Sequence, residues 1–147
     1  MCWNEINTEI KLTEFLNRCG NFHDSCLKEL RYTSGAFVDK NLNMSAINGE
    51  RELYIIIQMQ SDVMPVIEIR FSKLIKLNLK PVSPEYTCEI LDSSMFFEDG
   101  KIYWGDSDDF YEQREQYDGT WICAKKVSWR TLDNCYMGEK EIYKSER

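Results

Sequence analysis

Apolar residues Leu12, Phe15, Leu16 and Cys19 recur at the i, i+3, i+4, i+7 spacing of one helical face, while Glu9, Lys11, Glu14 and Arg18 occupy the rest of the wheel. Thr8 can cap this stretch and Gly20 can stop it in left-handed backbone, which predicts a helix of about three turns. Past Gly20 the period drops toward two. Leu30-Arg31-Tyr32-Thr33 alternates, Ser34-Gly35 has turn chemistry, and Ala36-Phe37-Val38 follows, so strand, turn and strand are expected. The polar stretch Asp39 to Glu50 reads as a connection that Leu42, Met44 and Ile47 would fasten to the core.

The run Glu52 to Gln60 is rich in β-branched and aromatic residues and too short for a core helix, which predicts a central strand. Val66 to Phe71 alternates in part, and Ile75, Leu77 and Leu79 alternate with Lys76, Asn78 and Lys80 until Pro81. One or two strands are expected there, with a bend near Ser72-Lys73. Thr87 to Phe97, the Asp99-Gly100 turn and Lys101 to Trp104 form the clearest hairpin. Gly105 to Gly119 is expected to be an exposed loop or short helix, Thr120 to Leu132 a final strand, and the charged tail from Gly138 to Arg147 is expected to fray. Parallel neighbours would need crossover helices, and none is evident. The expectation is therefore α+β, with an N-terminal helix on a mostly antiparallel sheet of about six to eight strands, strongly curved or barrel-like, in one domain spanning 1–147.

Composition narrows the function. With 43% hydrophobic and 13% aromatic residues, the 147-residue chain can build a core and is not a disordered segment. A net charge of −7 repels a phosphate backbone, and Lys125-Lys126, Arg51, Arg70 and Arg130 are scattered among β-like segments, so nucleic acid is an unfavourable partner. The longest apolar run, Leu53 to Ile57, is too short to cross a bilayer, and the first residues lack a basic export region, which points to the cytoplasm. Six cysteines stand at positions 2, 19, 26, 88, 123 and 135 with no Cys-x-x-Cys pair, so reduced, mostly buried thiols are expected.

Two regions offer chemistry. Phe22-His23-Asp24 holds the only histidine of the chain, and a carboxylate beside imidazole is what a general base or a metal ligand needs. Alternatively, Asp24 caps a turn and His23 bonds to backbone. Cys26 is the cysteine nearest to it in sequence, although residues three apart in a strand face opposite ways. The segment from Asp106 to Glu112 carries carboxylates without the glycine and twelfth-position acid of a calcium-binding hand, and no phosphate loop, nucleophile elbow or zinc motif occurs, so no cofactor is implied. Aromatic residues crowd the same region. Trp104, Phe110, Tyr111 and Trp121 beside Asp106, Asp108 and Asp109 suit aromatic anchors with an acidic rim facing a basic protein. The alternatives are that the strand aromatics are core, or that Trp104, Trp121 or Trp129 lines a small-ligand cavity.

The passage Phe22-His23-Asp24-Ser25-Cys26-Leu27 with Leu30 resembles the start of small bacterial domains in which a Phe-His-Asp motif leads into a hydrophobic strand, one group of which belongs to the polymorphic-toxin immunity proteins. The likeness covers about ten residues. Ile102-Tyr103-Trp104 and the strand from Trp121 to Trp129 look like a family of Gram-positive bacteria that carries no assigned activity. The resemblance implies a non-catalytic cytoplasmic protein that neutralises a toxin by binding it.

Overall fold

The computed structural model describes residues 2–47 and 49–144. Helix α1 spans Glu9–Arg18, and the hydroxyl of Thr8 accepts a hydrogen bond from the Lys11 amide at 3.2 Å, as the capping pattern requires. Beyond the helix the backbone turns left-handed for three residues, with φ of 58° at Gly20, 54° at Asn21 and 63° at Phe22. Left-handed backbone costs a bulky L-residue about 1–2 kcal/mol. The cost is offset by the Phe22 side chain, which is driven fully into the core against Phe15 and Trp104.

Ten strands lie among the described residues: β1 Asn4–Glu5, β2 Ser25–Thr33, β3 Phe37–Val38, β4 Met44–Ser45, β5 Glu52–Met59, β6 Val66–Asn78, β7 Glu89–Ile90, β8 Ser94–Glu98, β9 Lys101–Gly105 and β10 Trp121–Thr131. The main sheet runs β7-β2-β5-β6-β10-β9-β8 with every pairing antiparallel, and it curls into a half-barrel. One edge of β10 is shared, by β9 at residues 121–124 and by β1 at residues 128–129. The pair β3–β4 forms a ribbon of its own.

Alternation divides the sheet into two faces. Leu53, Ile55 and Ile57 of β5, Ile67, Ile69 and Phe71 of β6, Val127 and Trp129 of β10 and Ile102 and Trp104 of β9 join Leu12 and Phe15 of α1 in one buried cluster. Two bulges interrupt the pattern. One lies between Leu27 and Glu29 of β2; at the other, Cys123 pairs with Lys76 and Ala124 with Leu74, so Ile75 is the extra residue. Leu74 and Leu77 therefore both pack on the core, while Ile75 and Leu79 stay exposed. Strict alternation had placed Ile75 and Leu79 on one face with Leu77. The bend does fall where expected, at Lys73 with φ of 51°, but β6 is one continuous strand.

Three other expectations need correction. Leu42, Met44 and Ile47 fasten nothing: with Phe37 and Val38 they are 53–100% exposed on the excursion between β2 and β5. The tail is fastened as far as Tyr143, because Gln58 donates to the Gly138 carbonyl at 3.0 Å, the Glu29 carboxylate accepts the Ile142 and Tyr143 amides at 2.6 and 2.9 Å, and the Tyr143 hydroxyl donates to Glu68 at 3.0 Å. Residues 145–147 lie outside the described residues. The six thiols are free, but only Cys19 and Cys123 are buried. Among the described residues no helix is long and apolar enough to cross a membrane.

Candidate functional site

The His23-Asp24 corner sits where the left-handed turn enters β2. Asp24 is itself left-handed, with φ of 56°, and its carbonyl accepts the Gln60 amide at 3.0 Å. His23 is exposed. Its Nδ1 donates to the Leu91 carbonyl, and its Nε2 lies 3.4 Å from Asp24 Oδ1. The Leu91 carbonyl, and after it the Asp24 carboxylate, hold the imidazole above its ordinary pKa by favouring the protonated ring. Beside this bond, the Ser93 amide donates to Asn21 at 3.2 Å, so the corner straps the segment leading into β8 onto the turn. Sequence proximity does bring His23 and Asp24 together, but the ring's inner nitrogen is committed to backbone.

Cys26 lies around the corner, in a groove of about 510 Å3 whose lining includes Asp24, Gln58, Met59, Cys88 and Met137. Burial pushes its thiol pKa up, the reverse of what a nucleophile needs. No group of three His, Cys, Asp or Glu side chains among the described residues is placed to hold a metal ion.

The acidic, aromatic region is built differently. Phe96, Tyr103 and Cys123 are cross-strand partners on β8, β9 and β10, so all three face the outer side of the sheet, away from α1. A short helix, α2 at Phe110–Gln113, lays the Phe110 ring on this row, 5.3 Å from Trp121, 5.4 Å from Tyr117 and 5.9 Å from Phe96. The result is a second small core. The fit forces a glycine at 105, where a Cβ would stand 2.4 Å from the Phe110 ring. Asp106 locks the loop: its amide donates to the Thr120 carbonyl at 3.1 Å, and its carboxylate accepts the Tyr117 hydroxyl and, at 3.3 Å, the Thr120 amide. Burial and the Asp106 carboxylate together raise the Tyr117 pKa, keeping that hydroxyl a donor. Arg114 completes the closure with a forked ion pair to Glu98, one arm at 2.6 Å, and lies over the Phe96 and Tyr111 rings.

The expected contact surface therefore divides. Trp104 and Phe110 are 0% and Trp121 7% exposed, and none of them can anchor a partner. Trp104 faces the inner core beside Phe22 while Trp121 belongs to the outer cluster, because the register puts them on opposite sides of the sheet. Asp106 is consumed by the latch. What remains open is Asp108, Asp109 and Glu112 with Tyr111, which is 55% exposed; none of these acids takes part in an ion pair of the described residues. Of the tryptophans considered as cavity walls, Trp121 borders a groove of about 580 Å3 and Trp129 one of about 410 Å3 between α1 and the sheet. Arg114 and Glu98 were not singled out from sequence, since a loop-to-strand ion pair leaves no local signal, and Tyr117 stood out only as one of the region's aromatics, not as a latch.

Comparison with family models, with curated proteins and with solved structures finds no match to the chain.

Proposed function

We propose that the chain is a non-catalytic, cytoplasmic protein-binding domain that captures a basic protein partner such as a toxin, in the manner of an immunity protein. The observation that carries this reading is the exposed strip Asp108, Asp109, Tyr111 and Glu112, held on a rigid base of packed rings. A surface fixed in advance loses little conformational freedom on binding, and carboxylates outside any ion pair of the described residues, on a chain of net charge −7, speed the encounter with a cationic partner. The expected partner therefore presents lysine and arginine around a site that accepts the Tyr111 ring.

The test is affinity capture from the source cell's lysate at near-physiological salt, with partner identification by mass spectrometry. Asp108→Lys/Asp109→Lys is the comparison chain; Asp106 is left intact because its loss would open the loop. A basic protein captured by the native chain, with slower association and a flatter salt dependence for the variant, supports the reading. Equal capture by both chains removes this strip as the contact surface.

A further inference from the structure

The main sheet ends in an unpartnered edge. β2 is nine residues long, yet only Ser25 and Cys26 pair with β7, and among the described residues no strand lies beside β2 from Leu27 to Thr33. Such an edge offers backbone donors and acceptors to an incoming strand. Its side chains select which strand fits.

We infer that this edge pairs with the same edge of a second copy of the chain, antiparallel and centred on Leu30. The bulge in β2 leaves Glu29 opposite Ile56 and Arg31 opposite Tyr54, both on the outer face, with Leu30 opposite Ile55 on the inner face. A two-fold axis through Leu30 sets Glu29 against the partner's Arg31 and Arg31 against the partner's Glu29, while the two Leu30 side chains meet on the core side. Opposite charges directly across an antiparallel pair stabilise it, and like charges there destabilise it. Shifting the centre by one residue places Glu29 against the partner's Glu29, or Arg31 against the partner's Arg31. The charge pattern therefore selects one register, and a contact of this kind is closed and self-complementary.

Two features bound the contact. The partner's β7 already occupies the positions beside Ser25 and Cys26, and the bulge at Lys28 leaves Leu27 facing inward where Thr33 faces outward, so the regular ladder runs from Glu29 to Arg31 of each copy. Phe37, Val38, Met44 and Ile47, exposed in the single chain, supply the apolar area that a strand pair alone lacks.

Light scattering coupled to size exclusion, over a concentration series, tests the pairing through mass. The native chain is expected at twice its 17.5 kDa. Arg31→Glu, which faces the partner's Glu29, is expected at the single-chain mass, and the swap Glu29→Arg/Arg31→Glu is expected to restore the dimer by recreating both ion pairs in reverse. Thermal melting of each variant checks folding. Glu29 also accepts two tail amides, so mere structural damage would accumulate in the double variant instead of reversing. A native chain that stays at 17.5 kDa up to millimolar concentration, a dimer indifferent to Arg31→Glu, or a swap that fails to restore mass while still folded would each overturn the inference.

Discussion

The loop between β9 and β10 and the excursion between β2 and β5 have exchanged the roles their compositions suggest. The first is dense in rings and acids and looks like an interface, yet most of its rings are spent on one another and on the sheet beneath, leaving Tyr111 outside among carboxylates and glutamines. The second reads as a polar connection, yet it holds five large apolar side chains in water on a frame of surface hydrogen bonds. Asp39 supplies most of that frame: its carboxylate accepts the Asn41 and Asn43 amides at 2.9 and 3.0 Å, and its carbonyl accepts the Leu42 amide at 2.9 Å, holding Leu42 at a φ of 67°. Whether an apolar residue is buried depends on what the register places opposite it. An outer-facing row on β8, β9 and β10 lay under the loop; among the described residues no such row covers Phe37, Val38, Leu42, Met44 or Ile47.

The largest effect that separates the two regions is expected from Phe110→Ala, which removes the central ring of the second core. A loss of about 3–5 kcal/mol in urea denaturation is expected, with faster amide exchange across residues 106–120. A loss under 1 kcal/mol would mean that the rings do not hold the loop, and the contrast would fail. In the excursion, Ile47→Ser is expected to shift stability by no more than about 0.5 kcal/mol when measured on the single chain, because that side chain is fully exposed there.

The smallest effect is one of pH. Hydrogen bonds from the Asn43 and Asn41 amides hold the Asp39 carboxyl below its ordinary pKa of 3.8. A depressed folded-state pKa means that the turn's contribution is present above pH 3.8 and is lost as pH falls through the lower folded value. In a nuclear magnetic resonance titration, the Asn41 and Asn43 amide shifts should move with a midpoint below 3.8, and in Asp39→Asn they should not titrate. A midpoint at or above 3.8 would show that the frame does not favour the charged carboxylate.

What was legible in the sequence follows range. The helix Glu9–Arg18, the Asp99-Gly100 turn with its return strand and the apolar run of β5 are local patterns, and each formed where the spacing placed it. The strand read from Thr87 to Phe97 divides instead, because Glu89–Ile90 pairs with β2 at one edge of the sheet and only Ser94–Glu98 joins the hairpin with β9 at the other. The bulged residues, Lys28 and Ile75, look like ordinary strand residues, because a bulge is a property of two strands. The tail was expected to fray because its charged residues pattern with nothing nearby; its fastening residues, Glu29, Gln58 and Glu68, are more than 70 positions away. For the candidate site, His23 beside Asp24 was readable. Its use as a backbone strap required knowing where Leu91 lies.

Strands β9 and β10 bury side chains on both faces, with Ile102, Trp104 and Ile122 inside and Trp121 and Cys123 outside. Water is thereby kept from this part of the sheet from above and below, and β6 and β8 close its flanks. Amide hydrogens there can reach solvent only when the whole domain opens, whereas those on the free margin of β2 need only a local excursion. The molecule carries its own clock: deuterium uptake at residues 102–104 and 121–124 measures global unfolding, and at residues 27–33 it registers whether a neighbour has covered the margin.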